Sequence, residues 1–272
     1  MAGHRPAAPN PSGAHYLRDQ ALIRQLVRAS GVGPGQLVLD LGAGHGAVTL
    51  ALAASGARVI AVERDPRAAS RLRRRLAGRP PACRSLVSVV AADVRGIPLP
   101  RRDFLVVASI PFSVTTLLLR RLAGDPAVPL RGAELITGWE AARTFTRPVP
   151  RSAELAWWAA RYQMRLVRRV AAQSFTPPPR VAAAHLSLRP RPLATSPSGQ
   201  RLLRRLLPLA YRYPRLPAWR ICAEGAARTG HRASRTAVRD ALAWAGVDPR
   251  APAAGLTAGQ WHDVVARLAD GR

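Results

Sequence analysis

The chain has 272 residues and carries 42 basic residues, all of them arginine, against 15 acidic ones, for a formal charge of +27 and a pI near 12.0. A charge of that size is the footprint of a protein that works on polyanions, and it disfavours a small molecule as substrate. Two cysteines far apart in sequence, Cys83 and Cys222, exclude a disulfide framework and offer no metal-ligand spacing, and no uncharged stretch reaches the length of a membrane span. From the N-terminus, the first 15 residues are rich in Pro, Ala and Gly without a continuous apolar run. The segment to about Pro11 is expected to be a mobile arm and not a signal peptide.

Residues 38 to 46, Val-Leu-Asp-Leu-Gly-Ala-Gly-His-Gly, read as an apolar strand entering a glycine turn, with the run from Thr49 as the helix that closes a first βα unit. Glycines at 42, 44 and 46 permit positive φ and remove Cβ atoms that would block a ligand lying on the backbone. By itself the pattern also fits a tight turn with no ligand. A second strand, 58 to 62, ends in Glu63, about 20 residues after the glycines, where a doubly wound fold places the acid that binds ribose hydroxyls. A third, 86 to 92, ends in Asp93, and a fourth, 104 to 108, ends in Ser109-Ile110-Pro111-Phe112. Any one acid could be a helix cap, but strands of an open parallel sheet bind ligands at their carboxyl ends, so these four endings are expected to share one crevice. Asp40 would repel a pyrophosphate and suits a ligand with an ammonium and a sulfonium, such as S-adenosylmethionine. On this reading the Asp40–Gly42 region takes its amino-acid end, Glu63 its ribose and Asp93 its adenine amine.

The pattern of strand and helix continues to a late strand at 181 to 188, followed by a Pro- and Ser-rich linker at 189 to 199. Helices are expected at 200 to 210, 233 to 245 and 258 to 268, the last opening after Thr257. Trp219, Trp244 and Trp261 are assigned to the core of this helical part. Arginines cluster at Arg71, Arg73, Arg74 and Arg75, at Arg165, Arg168 and Arg169, and at Arg201, Arg204 and Arg205; from Val181 onward there are 15 Arg against 5 acids.

Gly-Ala-His-Tyr-Leu (13 to 17), Asp-Leu-Gly-Ala-Gly-His-Gly-Ala-Val-Thr (40 to 49), Val-Glu-Arg-Asp (62 to 65), Ala-Asp-Val (92 to 94), Ser-Ile-Pro-Phe (109 to 112) and Phe-Thr-Pro-Pro-Pro-Arg-Val (175 to 181) resemble the ordered motifs of the rRNA adenine-N6 dimethyltransferases. The ending Leu-Thr-Ala-Gly-Gln-Trp-His-Asp-Val-Val (256 to 265) is similar to that of the Erm branch, the macrolide–lincosamide–streptogramin resistance enzymes that methylate 23S rRNA. The resemblance implies an α/β, Rossmann-like class I S-adenosylmethionine-dependent methyltransferase domain over residues 1–190 and a small all-helical, RNA-binding domain over 191–272. It implies cofactor contacts from His15, Leu17, Gly42, Gly44, Glu63, Asp93 and Ser109, and a catalytic element at Ser109, Ile110, Pro111 and Phe112. There the first side chain and the next carbonyl accept from the adenine N6 amine while the aromatic ring stacks on the base. The family's Asn is replaced by Ser109, whose shorter hydroxyl is expected to accept from N6 directly or through a water, with slower or single methylation. A cytoplasmic monomer acting on 23S rRNA, without metal or membrane, is expected. The alternatives are the housekeeping 16S rRNA dimethyltransferase and a catalytically silent RNA binder. Tyr16 is read as packing for the N-terminal arm, and His45 is given no catalytic role.

Overall fold

A computed structural model describes residues 15–191, 196–227 and 234–270. The expected mobile arm, the middle of the expected linker and Ala233 lie outside the described residues. In chain order the elements are β1 (Tyr16–Leu17), α1 (Gln20–Ser30), β2 (Leu37–Leu41), α2 (Ala47–Ala54), β3 (Arg58–Glu63), α3 (Pro66–Ala77), the single turn α4 (Pro81–Arg84), β4 (Val87–Ala91), β5 (Phe104–Ser109), α5 (Thr115–Ala123), β6 (Leu130–Gly138), α6 (Trp139–Phe145), α7 (Ala153–Arg161), β7 (Tyr162–Val170), β8 (Phe175–Thr176), β9 (Ala183–Pro190), α8 (Pro197–Arg212), α9 (Ala218–Ala227), α10 (Arg235–Trp244) and α11 (Ala258–Asp270). The chain divides into two compact units, 1–142 with 165–188 and 143–164 with 189–272.

The first unit is Rossmann-like. Seven strands in the order β4-β3-β2-β5-β6-β9-β7 form its sheet, in which β4, β3, β2, β5 and β6 run parallel and β9 runs antiparallel to β6. Val38, Val59, Leu105, Val107 and Ile136 point into a core with Leu22, Ile23 and Leu26 of α1 and Val48 and Leu52 of α2. Residues of the other parity, among them Leu39, Leu41, Val106 and Ala108, are also fully buried. Cover on both faces explains why β2, β3 and β5 read as apolar runs with their polar residues toward the ends. The exception is Glu134 on β6, buried yet satisfied by His185 Nε2 at 2.5 Å and the Ser187 hydroxyl at 2.8 Å, both from β9. β6 and β7 were not anticipated: β6 hides a carboxylate in an apolar strand, and β7 alternates with arginine and carries the weak signal of a half-exposed strand.

The second unit is helical. Its expected helices occur at α8, α10 and α11. The Thr257–Gln260 pair opens α11 as a reciprocal cap, Gln260 N donating to Thr257 Oγ1 at 3.2 Å and Thr257 N to Gln260 Oε1 at 2.9 Å. The compact units do not part near residue 190 alone, because 143–164 fold with the C-terminal helices. α7 buries Ala156, Trp157, Trp158 and Ala160 and packs on α8 and α11, so its aromatic pair belongs to the helical core. Arg161, only 5% exposed, lies over the rings of Trp157 and Tyr162. Trp261 is fully buried as expected, but Trp219 and Trp244 are 40% and 60% exposed, which corrects their assignment to the core. The apolar stripe of α9 runs through Ala218, Ile221, Cys222, Gly225 and Ala226, and Trp219 lies one residue off it; Trp244 is the last residue of α10, past the Val238, Ala241 and Leu242 stripe.

Gly46 caps α2 with φ +81°, and a Cβ there would collide with the Leu72 side chain of α3. Gly46→Ala is expected to lose about 2–4 kcal/mol, from left-handed backbone strain and overpacking together, measured as a lowered midpoint in urea unfolding.

Candidate active site

The carboxyl ends of β2, β3, β4 and β5 open on one cleft of the first unit. A cavity of ≈ 380 Å³ is lined by His15, Tyr16, Gly42, Glu63, Arg64, Asp65, Asp93, Arg95 and Ser109–Val114, and an adjoining one of ≈ 310 Å³ by His15 to Arg18, Asp40, Gly42 to His45, Arg75, Ser109 and Thr176. His15, Leu17, Gly42, Gly44, Glu63, Asp93 and Ser109 to Phe112, the residues expected to form the site, each reach one or both.

The glycine turn is shaped as its sequence requires. Gly42, Gly44 and Gly46 have φ of +81°, +54° and +81°. A Cβ on Gly42 would lie 3.1 Å from Pro111 Cδ, so this glycine lets the β2 turn and the Ser-Ile-Pro-Phe element close on each other. A Cβ on Gly44 would stand 2.6 Å from the ring of Tyr16. Glu63 ties the neighbouring strand ends, accepting from Gly44 N at 2.7 Å and Asp65 N at 2.8 Å. One bond to each oxygen leaves each a free lone-pair direction for a further donor.

Asp40 points the other way from Leu39 and Leu41, toward α2. It is 1% exposed and accepts from Thr49 Oγ1 at 2.6 Å. Burial, partly offset by Thr49 and reinforced by the charge of Glu63, pushes its pKa up to about 7. Asp93 has the opposite environment. The Arg95 guanidinium grips both of its oxygens, at 2.7 to 3.0 Å, Arg95 N adds a fourth bond and Arg64 stands 3.7 Å away. Hydrogen bonds from Arg95 hold the carboxyl well below the usual carboxylate range.

Two sequence motifs some 160 residues apart meet at the rim. Tyr16 and Leu17 of β1 pair antiparallel with Thr176 and Phe175 of β8. His15 Nδ1 is 2.9 Å from the carbonyl of Pro177; a carbonyl only accepts, so this nitrogen carries the proton. Leu17 is buried in the sheet core, so what it presents to the cleft is backbone. Tyr16 does more than pack the arm. Its ring stacks on His45 at 4.1 Å and covers the glycine turn, while Arg75 donates to His45 O at 2.6 Å. Burial and the charges of Arg71 and Arg75 lower the His45 pKa, against a smaller opposing pull from Glu63 and Asp65.

Ser109 ends β5, and Ile110, 2% exposed, donates its N–H to Ile136 O at 3.1 Å, fixing its own carbonyl at the turn. Half-buried Phe112 meets Phe175 edge to face at 6.3 Å and His15 at 6.4 Å. Its turn is held by residues that the sequence did not single out. Thr115 Oγ1 donates to Phe112 O at 3.0 Å, so the 2.5 Å bond between Thr115 and buried Thr137 uses Thr137 as donor. Arg121 of α5 donates to Val94 O and Ile97 O and pins the loop that carries Asp93. Isolated Thr and Arg residues carry no motif, and only the paired strands bring these to the site. Among the described residues no group of three His, Cys, Asp or Glu could hold a metal ion, and no helix is long and apolar enough to cross a membrane.

Residues 10–207 match the family model described as ribosomal RNA adenine dimethylase. An rRNA adenine N-6-methyltransferase of Bacillus licheniformis is 30% identical over 181 residues, 66% of this chain and 61% of that protein, so the match spans less than two thirds of the relative. A ribosomal RNA small subunit methyltransferase A of Synechococcus is 34% identical over 193 residues, 67% of each. Among solved structures, the 23S rRNA methyltransferase ErmE has a TM-score of 0.73 at 27% identity, covering 93% of this chain and 99% of that one. A dimethyladenosine transferase of Plasmodium falciparum, at 18% identity and TM-score 0.66, shares the fold. With its class I methyltransferase fold and a family match over most of its length, the chain belongs to the ribosomal RNA adenine dimethylases.

Proposed function

We propose that the chain is an S-adenosylmethionine-dependent rRNA adenine-N6 methyltransferase, and that its substrate is one adenine of 23S rRNA, with resistance to macrolide, lincosamide and streptogramin B antibiotics as the consequence. The observation that carries the activity is the convergence of Gly42, Glu63, Asp93 and the Ser109–Phe112 element on one cleft of the first unit. The residues fit the cofactor: a backbone cradle without Cβ atoms at Gly42 and Gly44, a carboxylate with free acceptor directions at Glu63, and a second carboxylate at Asp93. S-adenosylmethionine supplies an electrophilic methyl group on a sulfonium. The chain's part is to bind the target base and direct the amine. An exocyclic amine has its lone pair delocalised into the ring; acceptors at Ser109 Oγ and the Ile110 carbonyl that hold its hydrogens make the nitrogen more tetrahedral and nucleophilic, and Phe112 supplies a stacking face. The adenine has to leave any duplex to reach Phe112, because N6 in a pair faces its partner.

The ErmE likeness over nearly the whole of both chains and the Gln260-Trp261 ending support the 23S reading. The small-subunit relative at 34% identity supports the 16S alternative. Incubation with methyl-labelled S-adenosylmethionine and, separately, unmodified 23S and 16S rRNA separates them. Label at a single 23S adenine, mapped by primer extension and lost in Asp93→Ala, is expected; label confined to 16S would replace the 23S reading, and binding of both ligands without label would make the chain a silent RNA binder.

Ser109→Ala is expected to slow methyl transfer about tenfold, as one lost acceptor worth about 1 kcal/mol or more predicts, with little change in cofactor affinity. Ser109→Asn is expected to equal or exceed the parent and to shift product toward dimethyladenosine in mass spectrometry of digested rRNA. The raised pKa of Asp40 has a definite sign. Below pH about 7 the carboxyl holds a proton, whereas a ligand bearing an ammonium and a sulfonium favours the carboxylate, so cofactor affinity falls as pH drops, by up to about tenfold per pH unit. Asp40→Asn should flatten that profile, read by calorimetric titration between about pH 5.5 and 8.

A further inference from the structure

The ≈ 310 Å³ cavity of the cleft has a charge pattern of its own. Its lining holds one buried carboxylate, Asp40, and two exposed arginines, Arg18 just after β1 and Arg75 on α3. Among the described residues neither arginine pairs with a carboxylate. Arg18 Nε donates to Gln173 O at 3.1 Å. Arg75 Nη1 donates to His45 O at 2.6 Å, which ties the guanidinium to the glycine turn, and the rest of its fork has no partner among the described residues. Of the five arginines on α3, Arg67, Arg71, Arg73, Arg74 and Arg75, the last alone lines either cavity of the cleft.

The turn itself spends its amides on the protein. Gly42 N and Ala43 N both donate to Val62 O, at 2.8 and 3.0 Å, Gly44 N donates to Glu63 at 2.7 Å and Gly46 N to Ala43 O at 2.8 Å. At these four positions the loop can accept from an ammonium through its carbonyls but cannot donate to a carboxylate. The amino-acid end of S-adenosylmethionine carries both groups, and its carboxylate would enter beside Asp40 and within the field of Glu63. Like charges brought this close repel unless a cation joins them. A guanidinium anchored on the turn, with the rest of its fork open, supplies that cation in the two-pronged geometry that suits a carboxylate. We propose that Arg75 binds the carboxylate of the cofactor's amino-acid end. It thereby makes the cleft selective for S-adenosylmethionine and its demethylated product, S-adenosylhomocysteine, over decarboxylated S-adenosylmethionine, which has the same adenosine, sulfonium and ammonium. The inference rests on the methyltransferase reading and adds to its cofactor site a residue that no motif marks.

Calorimetric titration of the full chain and its variants with S-adenosylmethionine, S-adenosylhomocysteine and decarboxylated S-adenosylmethionine tests the assignment. Arg75→Ala is expected to weaken both carboxylate-bearing ligands about tenfold, as one charge-assisted contact predicts, and to leave decarboxylated S-adenosylmethionine within about twofold of the parent. Arg75→Lys keeps the charge without the fork and is expected to fall between parent and Arg75→Ala. Arg18→Ala is expected to leave the ratio of the two cofactor affinities unchanged. An equal loss for all three ligands in Arg75→Ala would give the residue a role in shaping the turn and overturn the proposal. No loss for any of them would overturn it as well, and so would a ratio that collapses in Arg18→Ala and survives in Arg75→Ala. In each of these cases methyl transfer to rRNA by the parent would leave the methyltransferase reading standing. Selective loss of the carboxylate-bearing ligands in Arg75→Ala of a chain that methylates no rRNA would keep the carboxylate site and remove the rRNA reading. A parent that binds none of the three ligands would remove both.

Discussion

The carboxylate of Glu63 is the interaction on which the rest of the cleft depends. It takes the amide of Gly44 with one oxygen and that of Asp65 with the other, and so fixes the turn after β2 and the start of α3 from the end of β3. Backbone N–H groups at a left-handed glycine have few alternatives once the turn is partly buried, and an unpaired donor there would cost about 1–3 kcal/mol. The glycines supply a conformation that other residues resist, and Glu63 makes one version of it the stable one. Tyr16 then finds a surface flat enough to lie on, because Gly44 has no Cβ.

Two acids that a reader of the sequence would treat as equivalent behave oppositely. Asp40 is buried against α2, with Thr49 as its hydrogen-bond partner, and is pushed toward the neutral form. Asp93 stands near the mouth of the cleft, embraced by Arg95, and is pulled toward the charged form. Both end strands of the same sheet; what separates them is whether the next side chains are apolar or cationic. Arg95 occupies acceptor directions of Asp93, so a ligand amine that reaches this carboxylate exchanges partners with a guanidinium and does not meet a bare charge.

Much of this was legible before any coordinates. Four strand endings, their spacing and the positions of Gly42, Glu63, Asp93 and Ser109 follow from continuous apolar runs and one glycine pattern, because buried parallel strands carry their polar residues mostly at their ends. The opening of α11 after Thr257 and the helices α8, α10 and α11 follow from local chemistry in the same way. What escaped was non-local. β6 hides a glutamate whose partners, His185 and Ser187, lie about fifty residues on, and no window in sequence links them. The membership of 143–164 in the helical unit is decided by which helices cover Trp157 and Trp158. Composition argues for burying tryptophan, yet at Trp219 and Trp244 the stripe of each helix had already been filled by smaller residues.

The pairing of β1 with β8 ties Tyr16 and Leu17 to Phe175 and Thr176. During synthesis the glycine turn, Glu63 and Asp93 are all in place long before Thr176 exists, but the rim that carries His15 and Tyr16 has nothing to pair with. Closing so long a loop is slow and entropically costly until the sheet between its ends has formed. The cleft is therefore completed late, after β8 has left the translating ribosome, and a growing chain cannot hold a finished site beside the ribosomal RNA from which it is emerging.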